Sequence, residues 1–84
     1  MTTPTQASLP LLMEAREAAR TGKGAALREA AGLSQGELAR AAKLDESTVS
    51  RYESGVRAPR GDAAIRYARV LRRLEENLKR RAAA

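Results

Sequence analysis

The chain of 84 residues contains no cysteine and no histidine. Without them there is no zinc finger, no disulfide scaffold, no thiol nucleophile and no histidine acid–base chemistry. Aromatic residues are almost missing as well: two tyrosines, no phenylalanine and no tryptophan. Such scarcity disfavours RNA recognition, which relies on stacking unpaired bases on aromatic rings. No apolar run approaches the ~18–20 residues of a membrane span. The cluster LPLLM (Leu9 to Met13) is short, contains Pro10 and follows no basic segment, so it makes a poor signal peptide. No segment alternates apolar and polar residues with period two, so no strands are expected, and there is no longer-range repeat. GxxxxGK[ST] is absent, so TGKG (Thr21 to Gly24) is not a phosphate loop. No catalytic residue, cofactor or metal ligand is expected.

What is present is basic charge. Sixteen Lys and Arg against ten Asp and Glu give +6 on a small chain, a surplus that favours anionic partners, nucleic acid first. The charge is uneven: residues 1–42 carry five basic and four acidic side chains, residues 43–84 eleven and six. The positive field therefore belongs to the half that begins at Lys43.

Along the chain, residues 1–7 are polar and expected to be a disordered arm, followed by one domain over 8–84. Ser8 is placed to cap a first helix with Pro10 in its opening turn, and LLMEAREAAR continues it with strong helix formers. TGKG breaks the helix, since each glycine costs roughly 0.8–1 kcal/mol inside one. Thr21 is placed to cap the next helix, AALREAA, with Gly32 just past its end. Ser34 and Glu37 form an S-x-x-E capping box for a third helix running to about Ala42. Asp45 caps a fourth, from about Glu46, closed by Gly55. After a loop stopped by Pro59, a long helix runs from about Gly61. Ala64, Tyr67, Ala68, Leu71, Leu74 and Leu78 make its apolar stripe at spacings of three and four.

The stretch SQGELARAAKLDESTVSRYESG (Ser34 to Gly55) is thus a short helix, a three-residue turn and a second short helix. Ala39 is small where the two helices cross, and Leu44 points inward from the turn. Val49 and Tyr52 give the second helix one apolar edge. Glu46, Ser47, Ser50, Arg51 and Ser54 are left on the opposite face. Short hydroxyls let such a helix approach base edges closely, and an arginine can bond guanine in a bidentate fork. The arrangement is that of a helix-turn-helix, motif 35–54, with a recognition helix at about 46–54.

The segment LREAAGLSQGELARAAKLDESTVSRYESGVRAPRGDAAIRYARVL resembles the Cro and lambda-repressor type of helix-turn-helix domain, the XRE family. GLSQ-x-ELA, the STVSR core, ESG and R-x-P before the next helix carry the resemblance. It implies an all-α, compact bundle of about five helices, here with an extra N-terminal helix and a long C-terminal helix. It also implies a nucleoid-associated regulator, a small repressor that binds double-stranded DNA as a dimer; with neither a membrane span nor a signal peptide evident, a cytoplasmic protein is expected. By resemblance Gln35 holds a phosphate and braces the recognition helix, and Glu46, Ser47 and Arg51 face bases, with Ser50 nearby. Thr48 and Ser54 lie near phosphates, and Arg57 and Arg60 sit in a loop that touches the backbone. Arg28 and Glu53 form a structural ion pair. Glu46 has two readings, complementing the helix N-terminus or accepting from cytosine N4.

Two departures stand out. Lys43 occupies a turn position normally held by glycine, where a left-handed backbone costs a side chain about 1 kcal/mol, though the lysine can reach a phosphate. Gly24 and Ala25 stand where larger residues are usual, a gap that the N-terminal helix is expected to cover. A rival reading is an antitoxin-like protein, whose main role is to bind a partner protein, with autoregulatory DNA binding. No small-molecule effector is expected. The dimer contact is expected on the C-terminal helix through Leu71, Leu74 and Leu78. The alternative is that these leucines fold back on Leu9, Leu12 and Met13.

Overall fold

The computed structural model describes residues 8–83; the expected arm over 1–7 lies outside the described residues. Five helices follow one another: α1 (Leu9–Thr21), α2 (Lys23–Ala30), α3 (Gln35–Ala42), α4 (Glu46–Ser54) and α5 (Gly61–Ala83). No strand occurs among the described residues, and no described helix is long and apolar enough to cross a membrane.

Capping explains the boundaries, with two corrections. Ser8 has helical dihedrals (φ −90°, ψ −11°) where an N-cap would be extended, although Pro10 does lie in the first turn of α1. Thr21 ends α1 and Gly22 takes the N-cap position of α2; the Thr21 hydroxyl donates to the Glu17 carbonyl at 2.8 Å and accepts from the Lys23 N–H, the first of α2, at 3.4 Å. The reversal is made by Gly22 alone, at φ 84°, a conformation that suits glycine. At α3 the expected box is complete: Glu37 N–H donates to Ser34 Oγ at 3.0 Å, and Ser34 N–H donates to the Glu37 carboxylate at 2.8 Å. The same bonds hold the Glu37 carboxyl below the usual glutamate range.

The core is built from small residues. α1 contributes Leu11, Ala15, Ala18 and Ala19; α3 contributes Leu38, Ala39 and Ala42; α4 contributes Val49 and Tyr52. α5 adds Ala64, Ile65, Tyr67, Ala68, Val70 and Leu71, so its buried face is wider than the expected stripe by Ile65 and Val70. Alanines at the crossings let the helices approach closely, and the two tyrosines fill what remains. Their rings meet at 5.0 Å between centroids, tilted by 58°, an arrangement worth about 0.5–1.5 kcal/mol beyond the area it buries.

The gap at Gly24 is covered by α5, not by the N-terminal helix. Tyr67 reaches across so that a methyl group at Gly24 would come within 2.1 Å of its Oη. Gly24 is itself buried, and its missing side chain is what admits the ring. Burial, with Glu53 and Tyr52 nearby, pushes the Tyr67 phenol up to about 12. Its Oη has no hydrogen-bond partner among the described residues.

The α1–α5 pairing also decides which leucines of α5 stay accessible. Leu71, at 5% exposure, is a core residue and is not free to meet a second chain. Leu74 is partly buried against the same core. On α1, Leu11 is buried in that core and Leu12 packs partly against it, whereas Leu9 and Met13 stay 47% and 62% exposed. Arg72 and Glu14 form a two-pronged ion pair between α5 and α1, and Lys23 meets Glu75 at 3.0 Å.

Candidate nucleic-acid interface

The turn between α3 and α4 is three residues, Lys43, Leu44 and Asp45. Lys43 is left-handed at φ 57°, ψ 47°, the one such non-glycine residue described. Its strain of about 1 kcal/mol is offset by bonds to the end of α3. Leu44 N–H donates to the Ala39 carbonyl at 2.8 Å, and Lys43 N–H to the Arg40 carbonyl at 3.2 Å. Arg66 of α5 then takes the Ala42 carbonyl at 3.1 Å and the Lys43 carbonyl at 3.3 Å. A cation at a helix C-terminus is favoured by the helix dipole as well. Leu44 packs partly against the core, as the sequence requires.

Asp45 has the extended backbone of an N-cap, φ −78° and ψ 148°, but its carboxylate makes no capping hydrogen bond. Its negative charge still complements the first turn of α4. From there the helix divides cleanly. Val49 and Tyr52 are buried, and Glu46, Ser47, Ser50, Arg51 and Ser54 are exposed on the other side. No hydrogen bond or ion pair among the described residues engages the Arg51 guanidinium. The Ser54 hydroxyl is already turned back to the Arg51 carbonyl at 3.2 Å, so it would have to break that bond before donating to a phosphate. Glu46 leans over α3: a methyl at Gly36 would come within 2.9 Å of its Oε1. Gly36 was not singled out from the sequence, where it is just one more glycine.

The C-terminal end of α4 is clamped. Arg28 donates to both Glu53 oxygens, at 2.6 and 2.9 Å, and to the Leu33 carbonyl at 2.7 Å. Gln35 adds a bond to Glu53 Oε1 at 2.9 Å. Burial alone would raise the Glu53 carboxyl; the bonds from Arg28 and Gln35, with the Arg28 charge, outweigh it and hold the carboxyl below the usual glutamate range. The brace expected of Gln35 and the Arg28–Glu53 pair are both present. Gln35 keeps one amide hydrogen for another acceptor.

Lys43, Thr48, Arg57 and Arg60 come together with Arg66 around one open basin beside the start of α4. The sequence-expected residues thus fall into an exposed polar face (Glu46, Ser47, Ser50, Arg51), a basin lined mostly by basic residues, and the clamp that includes Gln35. Arg66 was missed because on a helix it looks like any surface arginine. Arg16 was missed too: its Nε donates to the Pro59 carbonyl at 3.0 Å and fixes the 55–60 loop that carries Arg57 and Arg60.

Comparison with known families gives one match: a model described as helix-turn-helix covers residues 25–82, well over half the chain. It takes in nearly all of α2 and everything through α5, and leaves α1 outside. Neither the curated proteins nor the solved structures gave a match to the chain.

Proposed function

Because the chain belongs to the XRE-type helix-turn-helix family of DNA-binding proteins, we propose that it is a sequence-specific transcriptional regulator, a small repressor that reads an operator of two half-sites through the major groove. The observation that carries this reading is the outer face of α4. It presents small hydroxyls and a single uncommitted arginine on a helix whose other side is locked into the core. Arg51 forks to guanine O6 and N7, and Ser47 and Ser50 permit the close approach this needs. Glu46 accepts from cytosine N4 or rejects phosphates in wrong registers. The remaining amide hydrogen of Gln35 and the basin of Lys43, Thr48, Arg57 and Arg60 meet the phosphates, setting register without reading sequence. Ser54 joins them at the far end once its hydroxyl is released.

One recognition helix reads too few base pairs for useful specificity, so two copies bind half-sites about 34–36 Å apart. With Leu71 in the core, the contact between copies is left to Leu74, Leu78 and the exposed Leu9 and Met13. The protein acts in the cytoplasm, on the nucleoid. Duplexes selected from a random library test the function by fluorescence anisotropy. A selected duplex should bind at least about 10³-fold more tightly than random sequence, and binding should weaken steeply with salt. Equal affinity for both duplexes overturns the reading. Sedimentation of free protein and complex tests the dimer, and one protein per site contradicts it.

A further inference from the structure

The polar side of α1 lies outside the matched family segment and takes no part in the core. Its second half runs beside the 55–60 loop, and Arg16 ties the two together through the Pro59 carbonyl at 3.0 Å. Pro59 is fully buried, so this end of the loop is a fixed point. Between helix and loop is a cleft of about 250 Å³ lined by Arg16, Ala19, Arg20, Gly55, Arg57 and Ala58. Ala19, Gly55 and Ala58 leave its floor open, and the arginines stand at its edges. On the other side of Arg16 a second hollow is bordered by Arg57 and Arg60. Four exposed arginines therefore surround this junction, with Glu17 the acidic group paired to one of them.

Arg57 and Arg60 also line the basin beside the start of α4. The basic surface is thus continuous from α4, across the loop, to α1. We propose that α1 and the loop form a second contact, sequence-independent, to the phosphodiester backbone of the same duplex, outside the half-site that α4 reads. The contact rests on the DNA-binding reading above and extends its footprint to an element that the family match does not include. Arg16 is held in place by Pro59 and supplies its remaining N–H donors to a phosphate. Arg20 is held by Glu17 at 2.6 and 2.7 Å, an exposed pair of the kind that contributes little to folding and gives way readily to a better anion. Glu17 thereby competes with phosphate for Arg20. Continuity with the basin selects duplex DNA over an acidic protein segment as the occupant, because a stiff duplex seated on α4 passes along the same surface.

Substitution of the pair gives opposite signs, which a structural role would not. A selected duplex is prepared trimmed to its half-sites and also extended by about half a turn, roughly 5 base pairs, at each end. The full chain should bind the extended duplex more tightly and with a steeper salt dependence. Arg20→Gln should reduce that advantage and lower the slope of log K against log salt by about 0.9 per protomer. Glu17→Gln should strengthen binding to the extended duplex alone. Thermal melts of both variants should match the parent, since both side chains are exposed. A parent with no preference for the selected duplex overturns the reading of α4, and the α1 contact with it. Retained preference with unchanged slopes and no effect of duplex length in either variant overturns the α1 contact alone.

Discussion

The inner and outer sides of α4 carry the same kinds of residue in opposite states. On the inner side and at the C-terminal end, the charged groups are committed. Glu53 is held by Arg28 and Gln35, and Arg66 closes the turn before α4 by taking the Ala42 and Lys43 carbonyls. On the outer side Arg51 has no partner among the described residues, and Arg57 and Arg60 stand exposed around an open basin. Arginine is thus used twice, once as a strut and once, in the function proposed above, as a reader or phosphate contact. What separates the two uses is whether a protein acceptor lies within reach. Substitutions on the inner side should therefore change stability, and those on the outer side binding.

The largest effect is expected at Val49, which is fully buried. Val49→Asp places a carboxylate in the core and should cost about 4 kcal/mol or more, enough to unfold most of the population in a chemical denaturation series. A variant that melts like the parent would mean that the faces of α4 are assigned one position out.

Next comes the clamp. Glu53→Ala leaves the half-buried Arg28 unpaired and should cost roughly 3 kcal/mol, the lower end for removing one partner of a buried pair. The same carboxyl makes stability depend on pH. Its folded value is depressed below the ordinary 4.5, so its contribution is complete above that value. It fades as pH falls from there through the folded value. The stability difference between parent and Glu53→Gln should therefore be greatest above 4.5 and shrink as pH falls from there through the depressed folded value; a difference that does not change with pH would remove the linkage.

A smaller effect tests the packing of α2 on α5. Gly24→Ala gains about 0.8–1 kcal/mol of helix propensity but drives a methyl into Tyr67 Oη, and overpacking costs about 1–3 kcal/mol. The net result should be mild destabilisation. Tyr67→Phe removes the unpartnered hydroxyl and should be neutral or stabilising by up to about 1 kcal/mol. With Tyr67→Phe in place the nearest atom to the new methyl is Cζ at 3.2 Å, so Gly24→Ala should then become neutral or favourable. Additive effects in the four melts would show that the two residues do not meet. Smallest of all, Ser50→Ala should move stability by less than about 0.5 kcal/mol while altering DNA affinity.

The two sides also differ in how far the sequence discloses them. The capping box at Ser34 and Glu37 and the split of α4 into Val49 and Tyr52 against Arg51 are local, and period and spacing reveal them; the left-handed Lys43 follows from the family resemblance, which places a glycine there. The struts are not local. Arg66 reaches back 24 residues to Ala42, and Arg16 reaches forward 43 to Pro59. No pattern in one segment names a partner so distant. Ser8 and Asp45 show a milder failure: residue type marks the helix start, but Ser8 takes helical dihedrals and the Asp45 carboxylate makes no capping bond. The stripe on α5 says that Leu71 will be covered without saying by what, and the fold covers it from within. The void at Gly24 was visible in sequence, but its occupant, Tyr67, became evident only once α5 was placed.

The division between committed and uncommitted charge is tested most directly at Arg51. Binding of the parent and of Arg51→Ala should be measured against every single-base variant of a selected duplex, at one fixed salt concentration. The arginine variant should melt like the parent and lose about 1–3 kcal/mol of discrimination at one base pair per half-site, with the other positions ranked as before. If Arg51→Ala discriminates among all the variants as the parent does, the outer face of α4 does not read bases through Arg51.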